Sequence, residues 1–334
     1  MNKKKFLVLT SINKITPSIR NLSKLEDYNL VLIGDQKTPD IKSKNLEFLS
    51  LKDQEKLPFK FINHCPVNSY QRKNIGYLYS ISNGADIIFE TDDDNSPLKN
   101  WDECLNFKIN KIKTIKSPKI FNSFSFFTKE KIWPRGYPLS YILKKDKIQT
   151  SLTLQSNVGI WQGLVNHDPD VDAIYRLTNN KKIIFSPNLF ALDKGVFCPF
   201  NSQNTFWFKE YFFYLYLPIS TTFRMTDILR GYIAQRCLWE HNACLGFFGP
   251  NMKQVRNKHN LLSDFSLEIP CYTQVETIIN FLSKIKLSKT PQKNLKKIYS
   301  KLLELEIIKD FELFALDAWI EDLENIFLKR KLYS

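Results

Sequence analysis

The sequence predicts an α/β protein built on a mostly parallel sheet with helices on its faces. Three features predict it. Through the first hundred residues, apolar runs of strand length alternate with segments of helical spacing. The last of these runs, Ile87-Ile88-Phe89, empties into Glu90-Thr91-Asp92-Asp93-Asp94-Asn95, a packet of oxygen ligands just where open α/β sheets bind theirs, beyond the carboxyl end of a strand. Composition agrees: 43% hydrophobic and 14% aromatic residues in 334 describe a globular chain with a core for one large or two ordinary domains.

Phe6 to Thr10 is the first strand. Thr16-Pro17 then supplies an N-cap and a first-turn proline for a helix through about Leu25. Leu30 to Ile33, closed by Gly34-Asp35, is the second strand and Leu46 to Leu49 the third, with Ser50 and Asp53 spaced as a capping box for a short helix. From Ser69 to Asn83 the apolar residues Ile75, Leu78 and Ile81 recur at helical intervals and stop at Gly84. That helix delivers the chain into the Ile87 strand. Arg72, Lys73 and Asn74 mark its polar side, where Arg72 reads either as a contact for a diphosphate or carboxylate, or as solvated surface.

Beyond Asn95 the pattern is less regular. Trp101 to Phe107 reads as a helix, Thr114 to Phe127 as short β-prone pieces, and Trp133 to Pro138 as a constrained loop around Arg135. Such a loop suits a sugar or phosphate pocket and a packed structural turn equally. Asn166 to Ala173 carries acids at 168, 170 and 172 but lacks the glycine and terminal glutamate of a calcium-binding helix–loop–helix motif. Pro199 to Thr205 sets amides and hydroxyls between aromatics, to orient sugar hydroxyls or to build a turn network. With Thr226 or Asp227 capping a helix, Ile228, Tyr232 and Gln235 share a face, and Asp227 is a cap, a catalytic base or an acceptor-binding carboxylate. From Val275 three amphipathic helices follow, at 275–286, 293–307 and 310–328, as a helical appendage or an oligomerisation surface.

Forty-eight basic against 34 acidic residues leave +14, which suits an anionic partner or a composition bias; without an Arg-rich run or an RNA-reading aromatic motif, nucleic acid is not the expected one. The six cysteines form no CxxC pair and read as reduced core residues of a cytoplasmic protein. Lys3 to Lys5 precede an apolar run of only Phe6 to Leu9, too short for a signal peptide or an anchor, so any membrane contact would be peripheral, at the inner surface. Three adjacent carboxylates repel one another. Asp92-Asp93-Asp94 is therefore a divalent-cation site or a solvated acidic turn.

Nine stretches, in order, resemble the STELLO glycosyltransferase-like proteins of plant Golgi membranes. They are Val8–Asn13, Asp53–Leu57, Arg72–Tyr79, Glu90–Asn95, Trp133–Pro138, Asp168–Thr178, Phe200–Thr205, Phe223–Arg230 and Arg256–Asn260. The resemblance spans about residues 6 to 265 and implies a GT-A-like, Rossmann-type catalytic domain over residues 1–265; the C-terminal helical extension at 266–334 is read as this chain's own departure from the plant proteins. It implies Mn2+ or Mg2+ at a DxD motif, with Asp92, Asp94 and the late His259 as metal ligands. Thr10, Arg72, Asn74, Asp92, Asp93 and Arg224 would bind the donor. Asp170, Asp172, Asn201, Gln203 and Asn204 would bind the acceptor, and Asp227 would be the catalytic residue. The implied reaction moves a sugar from a nucleoside-diphosphate donor, UDP by expectation, to a glycan, lipid-linked glycan or glycoconjugate; inversion and retention both fit. Weaker similarity to the reversibly glycosylated polypeptides, in the aspartates and in Asp227-Ile228-Leu229-Arg230-Gly231, makes a nucleotide-sugar mutase the alternative, beside an inactive scaffold of glycan synthesis. The plant proteins' membrane anchor is not matched.

Overall fold

The computed structural model describes residues 3–99, 101–105, 111–144, 147–154, 157–179, 181–256 and 260–332. The N-terminal third alternates as expected: β1 (Lys5–Thr10), α1 (Pro17–Leu22), β2 (Tyr28–Ile33), β3 (Glu47–Leu49), α2 (Leu51–Glu55), α3 (Lys73–Ser82), β4 (Ile87–Thr91) and the short β5 (Asn95–Pro97). Local chemistry sets the boundaries. Thr16 Oγ1 accepts from the Ile19 N–H at 3.1 Å, and Ser50 and Asp53 form the reciprocal capping box. Residues Tyr70–Arg72 make a tight 3-10 turn, so α3 starts at Lys73 rather than near Ser69. Around Trp101 only Glu103–Leu105 is helical, as one 3-10 turn, and 106–110 lie outside the described residues.

The chain continues through β6 (Lys111–Ser117), β7 (Gln149–Leu154), β8 (Val158–Asn166), α4 (Ala173–Thr178), β9 (Asn188–Leu192), β10 (Asn204–Phe208), α5 (Thr226–Leu238) and β11 (Cys244–Gln254). Four helices close it: α6 (Leu261–Thr273), α7 (Val275–Lys284), α8 (Pro291–Glu304) and α9 (Phe311–Leu332). The strands form one sheet in the order β3-β2-β1-β4-β10-β8-β11-β9-β6-β7, with β5 paired to β11. It is parallel through β3-β2-β1-β4 and mixed beyond, because β10 runs antiparallel to both β4 and β8. Since β8 and β11 are parallel to each other, β1, β2, β4, β8 and β11 all point the same way. Their carboxyl ends line up along one edge of the sheet, and that alignment places the site.

Strand alternation divides the core. On β1, Phe6 and Val8 face the larger cluster beneath α3, α5 and the C-terminal helices, while Leu7 and Leu9 face a smaller one with Phe89, Trp101 and Phe206. The C-terminal helices share the larger cluster through Ile278, Leu295 and Trp319. Polar contacts fix them further: Asp322 on α9 accepts from the backbone N–H groups of Lys60 and Phe61, both at 2.9 Å, and buried Glu312 accepts from Ile219 N at 3.1 Å. The helix α6 has no expected counterpart, for a physical reason. It buries Asp264, Glu268 and Cys271 while exposing Leu262 and Ile269, so its buried face is polar and shows no apolar period. All six cysteines are free and buried. Among the described residues no helix is long and apolar enough to cross a membrane.

Candidate functional site

A cleft of about 650 Å³ opens along the carboxyl ends of β1, β2, β4, β8 and β11. Its first half is made by the loops after β1 and β2 and by the turn ahead of α3. There Asp35 accepts from the N–H groups of Asn68 (2.8 Å) and Ser69 (2.9 Å), and Thr38 Oγ1 donates to Ser11 O at 2.6 Å, tying three segments into one wall. Arg72 closes that wall from below. Its guanidinium is buried and donates to Gln54 Oε1 at 2.9 and 2.5 Å and to the carbonyls of Cys65 and Pro66 at 3.3 Å, so its acceptors among the described residues are all neutral.

The three aspartates after β4 form the floor, each in a different setting. Asp93 accepts from Ser11 Oγ (2.5 Å) and Asn13 Nδ2 (3.0 Å), binding the β1 loop to the β4 loop. Asp92 accepts through Oδ1 from Tyr70 Oη (3.0 Å) and from Lys73 Nζ (3.3 Å); burial pushes its carboxyl up, against the pull of Lys73. The Lys73 ammonium is fully buried and also donates to Thr91 O and Ser202 O, at 2.8 and 3.1 Å. Asp94 accepts from Gln254 Nε2 at 2.9 Å through Oδ2, but its Oδ1 is buried without a partner among the described residues. Burial, then the Asp92 charge, pushes the Asp94 carboxyl up to about 7.

Glu90, the first acid of this run, is not in the cleft. As a strand residue it points to the helical side of β4, where both carboxylate oxygens meet Arg230 (2.7 and 2.8 Å), Trp207 Nε1 donates at 2.8 Å and Tyr77 Oη donates as well. It belongs to the framework rather than to the oxygen packet in which its sequence neighbours place it.

The second half of the cleft is a lattice of arginines and carboxylates. Arg135 is gripped from two sides, by Asp170 (3.0 and 2.7 Å) and by Asp227 (3.0 and 2.9 Å). Two glycines permit this packing onto α5. Gly136 adopts φ of +81° and a Cβ there would stand 2.4 Å from Ile228, while a Cβ on Gly231 would stand 2.5 Å from Phe200 O. Burial alone would raise the Asp227 and Asp170 carboxyls, but the Arg135 guanidinium overrides it and holds both below the usual range. Arg224 pairs with Glu268 at 2.6 Å, Arg256 with Asp264 at 2.8 Å, and Arg176 stands 3.5 Å from Asp168.

Of the expected site residues, Thr10, Arg72, Asp92, Asp93, Asp94, Asp170, Gln203, Arg224 and Asp227 line this cleft together. Four do not. Asn74 exchanges hydrogen bonds with the Leu217 backbone at 2.8 Å; Asp172 caps α4 and accepts from Trp133 Nε1 at 2.6 Å; Asn204 pairs with Asn251 at 2.7 Å; and Asn201 donates to Asp170 at 2.7 Å from behind the wall. His259 lies outside the described residues. The cleft also recruits Tyr70, Phe223, Arg176 and Arg256, which the sequence did not assign to a site. Arg135 carried a signal, as the one charge in an aromatic and proline loop. Tyr70 carried none.

A mixed sheet entered by a βαβ series, with a cleft at its carboxyl edge floored by an acidic strand-end loop, defines a GT-A-like α/β protein. Comparison with known proteins gives the particular family. The family model described as STELLO glycosyltransferases matches residues 224–331, so the C-terminal helices, expected to depart from the family, fall within the match. The chain is 29% identical over 350 residues to "Probable glycosyltransferase STELLO2" of Arabidopsis thaliana, covering 96% of this chain and 44% of that protein. It is 31% identical over 269 residues to "Probable glycosyltransferase STELLO1" of the same plant, covering 74% and 35%. The chain belongs to the STELLO-like glycosyltransferase family and spans less than half the length of these relatives.

Proposed function

We propose that this chain transfers a sugar from a nucleoside-diphosphate donor, UDP in the first instance, to a glycan or glycoconjugate acceptor, with a divalent cation at Asp92 and Asp94. The observation that carries this reading is the stranded oxygen of Asp94. A buried carboxylate oxygen without a partner is costly unless a ligand supplies one. Asp92 agrees with it, since Oδ1 serves Tyr70 and Lys73 and, among the described residues, Oδ2 has no hydrogen-bond partner. Among the described residues no group of three or more His, Cys, Asp or Glu side chains could hold a metal ion. Two carboxylates completed by water and substrate phosphate oxygens are the habit of Mg2+ and its like, so the residues present fit such an ion. Bound there, it would supply positive charge against the leaving diphosphate.

The chain's own groups divide the remaining work. The β1–β2 half, with Arg72 at its base, takes the nucleotide, and Lys73 holds Asp92 in place from below. Asp227 was expected to act as the base. A general base works best with a pKa near the operating pH, and a carboxylate held low by a bidentate arginine is far from that. We therefore assign Asp227 to positioning Arg135 over the cleft. Calorimetry of UDP with and without Mn2+ tests the reading: UDP should bind with Mn2+ and lose that dependence in Asp94→Ala. Unchanged Mn2+-dependent affinity in the variant would sink the assignment, and an isomerised donor on incubation with UDP-sugars alone would make the protein a mutase.

A further inference from the structure

Arg176, on α4, has more donors than its surroundings satisfy. Its Nη2 donates to Pro169 O at 2.7 Å, its Nη1 stands 3.5 Å from Asp168, and its Nε is buried with no hydrogen-bond partner among the described residues. Arg224 and Arg256 line the cleft beside it. Burial first, then the repulsion of Arg256, pushes the Arg176 guanidinium down to about 10, and burial and Arg224 push Arg256 down in turn. Asp264 pairs with Arg256 at 2.8 Å, but the other carboxylates in reach are divided: Asp170 gives both oxygens to Arg135 and stays 3.8 Å from Arg224, while Glu268 serves Arg224, the Ala173 N–H and Tyr272 Oη at 2.6 to 2.8 Å.

Topology says which part of a substrate meets these arginines. Arg176 follows β8 and Arg256 follows β11, and both strands lie on the opposite side of β4 from β1 and β2. With the nucleotide in the β1–β2 half, the cluster faces the far side of the aspartate floor. Phe223, 45% exposed, next in sequence to Arg224 and set edge-on against Tyr70 of the first half at 5.2 Å, adds an apolar surface for a sugar ring where the two halves meet.

We propose that Arg176, Arg224 and Arg256 form an acceptor-side subsite for an anionic group, a phosphate or carboxylate carried on the acceptor sugar; the side, though not the site, rests on the donor reading above. Guanidinium groups match both anions through paired N–H donors, and the Arg176 Nε–H supplies one that the described residues leave unused.

The test uses the full chain at constant ionic strength, with glucose 6-phosphate, glucuronate and neutral glucose as probes, each titrated with and without saturating UDP and Mn2+. At least one anionic sugar should bind the UDP-loaded protein about tenfold or more tighter than glucose, in the range charge-assisted hydrogen bonds provide. Arg176→Gln and Arg256→Gln should each remove most of that gain and leave UDP affinity within about twofold, with Arg176→Lys restoring part of it. Anionic sugars that compete with UDP, or variants that lose UDP and sugar affinity together, would assign the cluster to the donor diphosphate and overturn the proposal. So would equal binding of glucose and glucose 6-phosphate. Variants that lose UDP-glucuronate but keep UDP-glucose and glucose 6-phosphate would move the anion to the donor sugar, again overturning it. If UDP fails to bind at all, the donor reading falls, whereas arginine-dependent binding of glucose 6-phosphate still upholds the anion subsite.

Discussion

Glu90 and Asp94 stand four residues apart in one acidic run, and the fold treats them in opposite ways. Glu90 is fully buried, yet Arg230, Trp207 and Tyr77 satisfy both of its oxygens. Asp94 has one oxygen on Gln254 and one stranded. The difference is positional: Glu90 is still in β4, whose alternation turns it toward the helical layer, while Asp94 lies past the strand end, where the chain turns toward β11. A carboxylate fully paired by its own protein stabilises a fold, and one left half-paired at a cleft is available to a ligand.

Arg230→Met should break this contrast most severely. It leaves Glu90 charged and unpaired in the core, so stability measured by urea denaturation should fall by roughly 3–5 kcal/mol. A loss under about 1 kcal/mol would mean the pair is not what holds α5 to β4. Asp94→Asn should do the converse, changing stability by less than about 1 kcal/mol while weakening Mn2+-dependent UDP binding about tenfold or more, because the fold does not depend on its stranded oxygen. A collapse of stability in that variant would erase the distinction between the two acids.

Asp172 is the intermediate case, paired with Trp133 and the Tyr175 N–H but pushed by burial up to about 6. The folded state then binds this proton more tightly than the unfolded one. Its contribution is fully present below the usual carboxylate range, near pH 4, and is lost as pH rises through about 6, with a flat profile above. The effect should be about 2–3 kcal/mol, and Asp172→Asn should flatten that part of the curve when stability is followed from pH 4 to 8. The smallest change is Tyr70→Phe. It removes the hydrogen bonds of Tyr70 Oη to Asp92 and Ser202 Oγ and the one it accepts from Lys73 Nζ at 2.8 Å, for about 1–2 kcal/mol. A far larger loss would show that the aspartate floor depends on Tyr70.

Much of the first third was legible because its signals are local. The Thr16 cap, the Ser50–Asp53 box and the apolar strand runs act within a few residues, and each appears where the pattern places it. The acidic floor was legible for the same reason. The second wall was not: Arg135, Asp170 and Asp227 come from three distant segments, and nothing in any one of them reports that Arg135 lies between the two carboxylates. Asp227 looked free to act as a base because its partner is 92 residues away.

By itself, then, the sequence determined the βαβ entry, the acidic loop at the end of its fourth parallel strand and the family to which these belong. The tertiary structure decided which acids face the cleft and which are consumed by the core. The reason is physical: strand and helix periods and caps are written in neighbouring residues, whereas the charge state and availability of a buried carboxylate depend on the cation the fold sets beside it. For Glu90 that cation is Arg230 and for Asp227 it is Arg135; beside Asp94 the described residues set no ion-paired cation.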